Sequence, residues 1–526
     1  MSKRMADSIC EKLGAIVGRE NVLSDPSQRT FYSTDLAGSG AITSAVVVAG
    51  STAELARIAA LCSAQGIAMI PRGGGFSYTG GYTPVSENSV IVDMRGLDEI
   101  IEINEQDLYV RVGTGCTWEK LYTALKARGL RTPYFGPMSG YNATVGGALS
   151  QGSFFLGSTE YGTVMESVLS IEVVLANGDV IHTGADSASG VPPFYRNYGP
   201  DLTGMFLADT GALGFKTAAT LKLIEFPQHQ AYASFTFERG EDALAALSAI
   251  GRAGVAAEAY AWDPYFVEVM SKASTGFIQD LAFLRAVVRN SAGLIDGVGA
   301  AARIALAGKS VFRLGSHMLH VIIDDHSAQG AAQRLKTVRR LALAQRGIEV
   351  APSVPRALRG TPFTNFNIAE RRTLQRNLPI NSLFPHSRAA GAQRQILRLF
   401  EVEKTAMQSH KITVGTVYFA VGRNAVCIEP LVYWDDPVHF QHNRVEEKSD
   451  LVELAKGGAP TPATEYAHAL RDSLKAVMQT HGAAHVQIGK MYSYLATREP
   501  RVASLIRQFK NAVDPKGLVN PGSLGL

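Results

Sequence analysis

The sequence predicts an α+β fold divided into two domains, on three observations. Its 526 residues exceed the about 250–300 residues at which a single core stops growing. Residues 45–94 read as strand, helix, strand and strand, and paired strands follow as far as residue 224. From residue 228 the pattern begins afresh, with strand-like Ala233-Ser234-Phe235-Thr236-Phe237 and a helix over about 240–252.

In order, residues 5–20 read as a helix. Ala45-Val46-Val47-Val48-Ala49 is a β-branched run suited to a buried strand. Ser51 and Glu54 form a capping box for a helix over 52–65, which ends near Gly66. Ile67-Ala68-Met69-Ile70 is the next short strand, followed by Val90-Ile91-Val92-Asp93-Met94. Residues 100–103 and 108–112 read as a strand pair, and Thr117 caps a helix that stops by Gly129. Val168 to Leu175 and Val180 to Gly184 flank Asn177-Gly178, a strong hairpin signal. Residues 220–224 form a last strand before Pro227.

Between these strands lie three clusters of small residues. The first is Pro71-Arg72-Gly73-Gly74-Gly75-Phe76-Ser77-Tyr78-Thr79-Gly80-Gly81. Glycines let a backbone approach a ligand closely, and bare N–H groups in succession make an anion-binding nest. Ser77 and Thr79 add hydroxyls and Arg72 adds charge. The loop therefore reads either as a diphosphate cradle or as a glycine-rich turn between strands. It is neither G-x-G-x-x-G nor a triphosphate loop ending in Gly-Lys-Ser/Thr. The second cluster holds Gly136-Pro137, Thr144-Val145-Gly146-Gly147 and Ser150-Gln151-Gly152-Ser153; Gly146-Gly147 is expected to open a helix whose N–H groups face an anion. The third runs from Asp201 to Gly204 and from Asp209 to Phe215.

Bulk properties narrow the function. Hydrophobic residues at 46% and charged residues at 19% describe an ordinary globular protein. A net charge of +4, without a basic block, argues against a nucleic-acid partner. Cys10, Cys62, Cys116 and Cys427 are far apart, so neither a zinc ribbon nor a disulfide framework is expected. That usage suits a reducing compartment, and no apolar signal segment follows Met1. No run of about 18 uncharged apolar residues exists to span a bilayer. The expected location is cytoplasmic. The apolar stretch Phe277 to Val311, broken by Asp280, Arg285, Arg289, Asp296, Arg303 and Lys309, has two readings. It is a cap helix over a site, or an amphipathic patch lying on the inner face of a membrane.

The ordered set P-R-G-G-G-x-S, T-V-G-G, Y-G-T, V-L-x-I-E-V-V-L-A-x-G, D-L-T-G and G-A-L-G-F resembles the flavin-binding module of the vanillyl-alcohol oxidase / p-cresol methylhydroxylase superfamily. It is most similar to the D-lactate dehydrogenase (cytochrome) and glycolate oxidase type. Asp514-Pro515 to Asn520-Pro521-Gly522 resembles the superfamily's closing D-P-x-x-x-x-N-P-G. The resemblance covers about residues 28–227 and 480–526. It implies an α+β, two-domain FAD-binding fold of the p-cresol methylhydroxylase type: an FAD-binding domain over 1–227, a substrate (cap) domain over 228–475, and a C-terminal return over 476–526. It assigns Arg72, Gly73, Gly74, Gly75, Phe76, Ser77, Tyr78 and Gly80, with Pro137, Thr144, Gly146 and Gly147, to the cofactor and chiefly its diphosphate. Tyr161 and Gly162 join the same set. Gly211, Gly214 and Phe215 fall near the adenine, and Asn520 near the flavin. Relatives that tether FAD from this loop use a histidine where this chain has Phe76, so a dissociable FAD is expected. A tether from a histidine or tyrosine of the second domain stays open.

The resemblance also implies a small alcohol or 2-hydroxy-acid substrate, an electron acceptor (quinone, cytochrome or oxygen) and a homo-oligomer. The histidine-rich segment with which hydroxy-acid relatives hold metal is here Tyr418 to Val426, without histidine, so no metal is expected. The tyrosine–arginine pair of phenol-oxidising relatives is replaced by Tyr492-Ser493. An aromatic alcohol is the alternative substrate, suggested by Tyr418, Tyr433, Trp434 and Tyr492.

Residues 417–420 and 426–434 read as adjacent strands. Alternation puts Tyr418 with Ala420 on one face, and Cys427, Glu429 and Leu431 together on one face. Glu429 is a candidate base, or a strand glutamate paired to arginine or facing water. His439, His442, His481 and His485 invite a metal reading, but no zinc-like spacing supports it, and solvated or structural histidines are the alternative. His485, Tyr492 and Tyr418 complete the catalytic candidates; Tyr492 and Tyr494 have ordinary packing as their alternative.

Overall fold

The structure, a computed structural model, describes residues 3–277, 313–363, 375–435 and 460–526. The apolar stretch 277–311 (beyond Phe277 itself), His439 and His442 lie outside the described residues. Two units emerge: one comprises Met1–Ser153, Val164–Glu225 and Val486–Leu526, the other Phe154–Thr163 and Phe226–His485.

In unit one, the β-branched runs become strands buried on both faces. β1 (Val22–Leu23), β2 (Ala45–Val48), β3 (Ala68–Arg72) and β4 (Ser89–Asp93) lie in the order β1-β2-β4-β3. β2 and β3 both run parallel to β4. Parallel strands need both faces covered, hence the continuous apolar runs. Val47, Met69, Val90 and Val92 pack with Leu13, Leu55, Ile58 and Cys62. Val46, Ile70 and Ile91 pack on the other face with Tyr32 and Tyr82. The crossover helix Thr52–Gln65 starts where Ser51 Oγ accepts from Glu54 N at 3.2 Å. Glu54 Oε2 accepts from Gly50 N rather than from the cap residue's own N–H. Gly66, at φ 66°, ends the helix.

A second sheet in unit one is antiparallel throughout. It holds β5 (Ile100–Asn104) and β6 (Tyr109–Gly113); β7 (Leu130–Arg131) lies apart. β8 (Val168–Val174), β9 (Val180–His182) and β10 (Phe215–Lys222) complete it in the order β5-β6-β10-β8-β9. The expected hairpin turn joins β8 to β9 and places Gly178 at φ 93°. β7 pairs with β11 (Ile224–Glu225).

Unit two is built on one nine-stranded sheet. Its strands are β12 (His229–Phe237), β13 (Glu258–Trp262), β14 (His317–Asp325), β15 (Ile348–Val350), β16 (Gln375–Pro379), β17 (Ser382–Pro385), β18 (Thr413–Val421), β19 (Ala425–Asp435) and β20 (Ala484–His485). The order is β15-β12-β14-β13-β18-β19-β17-β20, with β16 also on β19. Three of the described helices lie over one face. Gly251 of helix Gly240–Ala253 lies against Ala420. Gln393 of helix His386–Val402 donates to the Tyr418 hydroxyl, and Thr464 of helix Pro462–Thr480 accepts from the Trp434 indole.

Two stretches fall outside their expected domains. Phe154–Thr163, expected in the first, packs in unit two. Phe155 stacks edge-on against Tyr260 and Phe419, and Gly157 N donates to Glu258 Oε1 at 2.7 Å. Residues 476–485, expected in the C-terminal return, also belong to unit two, because the helix from Pro462 continues to Thr480 and β20 adds to β17.

Candidate functional site

Unit one gathers its three small-residue clusters into one place. β3 delivers the chain to Gly73 and Gly74, which meet the second cluster. A Cβ on Gly73 would lie 2.3 Å from Thr144 Oγ1, and one on Gly74 would lie 2.1 Å from Asn142 O. No side chain fits at either position. Further along, Gly75 takes φ 74°, its carbonyl accepts from the Tyr82 hydroxyl at 2.7 Å, and Ser77 and Thr79 hydroxyls bond at 3.0 Å. Gly80 N donates to Asp35 Oδ2 at 2.6 Å. Phe76 and Tyr78 are half-buried.

Arg72 points elsewhere. Its guanidinium sits 4.2 Å from the Tyr32 ring, 5.0 Å from Tyr82 and 5.5 Å from Phe31. Strand alternation puts it on the Ile70 face, among rings that attract a cation.

The second cluster departs from expectation. Gly146 N donates to Thr114 O at 2.8 Å, and Gly147 N to the capping Thr144 Oγ1 at 3.2 Å. These N–H groups are already bonded within the chain, so they do not form the expected anion nest. The glycines serve close packing instead: a Cβ on Gly146 would fall 2.6 Å from Thr114 Cβ. Pro137 O accepts from Gly140 N at the start of this turn.

The third cluster hangs on buried lysines. Asp209 accepts from Gly211 N, Leu213 N and Lys216 Nζ, the last at 2.6 Å. Lys510 Nζ donates to Ala212 O, Asp514 Oδ2 and Val519 O. Gly211, at φ 69°, lies against Pro71, Gly214 lies against Val173, and Phe215 is buried at the start of β10.

The C-terminal return closes the cluster. Asn520 Nδ2 donates to Gly81 O and Thr210 O, both at 2.7 Å, while its Oδ1 accepts from Lys490 Nζ at 2.8 Å. Lys490 Nζ also donates to Gly80 O. Burial pulls the Lys490 ammonium down to about 8, against the pull of Asp35. Sequence reasoning missed Lys490, and it placed Gln151 and Thr210 in its small-residue clusters without giving either a role. For Lys490 the available signal was Gly489 before it, a glycine at which a Cβ would fall 2.3 Å from Thr79 O.

The remaining candidates divide. Tyr161 and Gly162 lie in unit two and Tyr492 is buried in unit one. In unit two, Tyr418 and Ser382 both pair with Ile428, and His485 pairs with Ser382. Tyr418 and His485 therefore share the helix-covered face and do not meet Glu429, which projects from the other. Burial raises the Tyr418 phenol, which accepts from Gln393. His485 Nδ1 lies 2.8 Å from Ser382 Oγ, and burial pulls the imidazole down to about 4. Burial pushes the half-buried Glu429 carboxyl up to about 8.

Unit one offers what a dinucleotide needs: interlocked glycine loops, the hydroxyls of Ser77, Thr79, Thr144 and Thr210, the half-buried Lys490, and an unpartnered buried amide oxygen on Gln151. Residues 43–184 match the family model described as an FAD binding domain. The chain carries an FAD-binding domain, and its cofactor is FAD. It is 33% identical over 219 residues to the glycolate oxidase subunit GlcD of Bacillus subtilis, covering 41% of this chain and 45% of that protein. It is 27% identical over 207 residues to the mitochondrial D-lactate dehydrogenase (cytochrome) 1 of Saccharomyces cerevisiae, covering 39% and 34%. The alignments thus span under half the length of these curated relatives. The fold of the FAD-binding chain is that of p-cresol methylhydroxylase, whose substrate-bound crystal structure superposes with a TM-score of 0.74. Identity is 18%, over 100% of this chain and 98% of that one. Among the described residues, no helix is long and apolar enough to cross a membrane.

Proposed function

We propose that the protein is an FAD-dependent oxidoreductase that oxidises the CH–OH group of a small 2-hydroxy acid such as D-lactate or glycolate. The carrying observation is that the glycine-loop unit aligns with relatives named for glycolate oxidation and D-lactate dehydrogenation. FAD, when bound, supplies a two-electron acceptor for the substrate hydride. The chain's own part is to hold the cofactor and to take the hydroxyl proton. Glu429 is the group proposed for the proton. It sits on the face of the sheet opposite the three helices, and its pKa near 8 lies close to working pH, where a general base is most effective. Phe76 cannot form a histidyl tether, which supports a dissociable FAD, with a tether from a histidine or tyrosine of the second domain as the alternative. Electrons then leave to a quinone, a cytochrome or oxygen, and a dehydrogenase role is the one adopted.

A second reading, an aromatic alcohol substrate, is favoured by one observation. The face that carries Glu429 also carries Phe154, Phe155, Tyr260 and Phe419 in edge-to-face contact. Anaerobic mixing of the purified flavoprotein with each alcohol separates the two. Bleaching of the oxidised flavin band by D-lactate or glycolate, but not by benzylic or phenolic alcohols, supports the first reading. The reverse pattern replaces it with the second, and no bleaching by any alcohol removes both.

A further inference from the structure

We propose that Gln151 is a cofactor-binding residue of this site, its side-chain amide pairing with an edge of FAD that sets an N–H donor beside an acceptor. The inference builds on FAD as the cofactor and adds a residue that the glycine motifs do not contain. Gln151 is the last residue of the helix Val145–Gln151, which Gly152 ends at φ 64°. Its backbone is pinned, because its carbonyl accepts from Gln487 N at 3.0 Å. Its side chain runs toward the first glycine loop: Nε2 lies 2.5 Å from where a Cβ on Gly81 would stand. Thr210 Cγ2 and Ser77 Oγ line the same spot, at 3.2 and 3.4 Å from that position.

The polar neighbours are occupied. Ser77 bonds to Thr79, Thr210 Oγ1 accepts from Gly489 N, and Asn520 spans Gly81, Thr210 and Lys490. The Gln151 Oε1, though buried, has no hydrogen-bond partner among the described residues. Buried amide oxygens are almost always bonded, so one without a donor marks a place for one. A primary amide offers a carbonyl acceptor and an N–H donor side by side. FAD offers the complement at two places: the flavin imide, with its N3–H beside a carbonyl, and the adenine edge, with its amino group beside a ring nitrogen.

The test is a titration of flavin-free protein with FAD, followed by flavin fluorescence. Two analogues join it, FAD methylated at the flavin N3 and FAD with purine in place of adenine. Wild type is expected to bind one of the two analogues about tenfold more weakly than FAD, the loss of one hydrogen bond to a buried group. Which analogue suffers identifies the edge. Gln151→Leu is expected to bind FAD about tenfold more weakly and to treat that analogue and FAD alike. Two results overturn the proposal. One is wild type binding both analogues as tightly as FAD, which reads even where the variant does not fold. The other is a variant that still discriminates as wild type does, which would leave the amide to a water or to packing. Wild type that takes up no FAD would overturn the cofactor itself.

Discussion

In unit one, two buried lysines are paired: Lys216 lies 2.6 Å from Asp209, and Lys510 2.6 Å from Asp514, while the buried Arg72 guanidinium rests on aromatic rings. In unit two, Glu258 pairs with Arg359, but several other buried or half-buried groups are pushed toward their uncharged forms. His317 is pulled down to about 4 and His320 to about 3 by burial, His485 likewise to about 4, while Glu429 is pushed up to about 8. The difference is one of task. Fixed pairs position a backbone, and in unit one they restrain loops that contain Ala208, Thr210, Gln487 and Asn520 at positive φ. Such residues cost about 1–3 kcal/mol each and persist only where surroundings over-determine them. Of these groups only Glu429 titrates near working pH, which suits the acid–base chemistry proposed for it, while the three histidines stay neutral there.

The comparison breaks first at the glycine loop. Gly74→Val is expected to abolish FAD binding, since even its Cβ would stand 2.1 Å from Asn142 O. Flavin content of the purified variant measures this, and a wild-type content would detach the loop from the cofactor. Next, Asp209→Ala would leave Lys216 buried without its partner and release Gly211 N and Leu213 N. A loss of about 3–5 kcal/mol in urea unfolding is expected; a loss below 1 kcal/mol (about the worth of a surface pair) would show that pairing is not what holds unit one. Glu429→Gln is expected to slow flavin reduction by substrate about 100-fold while FAD binding stays unchanged. In the wild type that rate should rise as pH passes through about 8, because the carboxylate is the form that accepts a proton. An unchanged rate in the variant would make Glu429 structural.

The smallest effect concerns acid. His317, His320 and His485 have folded pKa values depressed below the ordinary 6.5, so the unfolded chain takes up protons first as pH falls. Their stability contribution is complete above about pH 6.5 and is lost progressively as pH falls toward about 3–4. His320→Gln should flatten the fall of the thermal midpoint over that range. A slope identical to wild type would assign the acid sensitivity to other groups.

Much of unit one is legible in the sequence because its signals are local. The β2, β3 and β4 runs, the Ser51 cap and the Asn177-Gly178 hairpin each depend on a few neighbouring residues. Alternation along β18 and β19 is local too, but the division of Glu429 from Tyr418, both candidates from the sequence, is set by the cross-strand register Tyr418–Ile428. The expected anion nest at Gly146-Gly147 failed for a non-local reason: Thr114, from a different strand's end, takes a donor first. Phe154–Thr163 left its expected domain because Phe154 and Phe155 find aromatic partners on β13 and β18.

By itself the sequence determined the strands, the helix starts, the three glycine clusters and the faces of β18 and β19. These follow from backbone sterics, side-chain alternation and capping bonds that span four residues or fewer. Only the tertiary structure decided that Gly73 meets Thr144, that Asn520 ties Gly81 to Thr210, and that Lys490 reaches Gly80 across 410 residues. It also decided which buried polar groups are bonded and which, like the Gln151 amide oxygen, are left for a ligand. The physical reason is that pairing and burial are settled by whatever the folded chain brings near, and no local pattern encodes that.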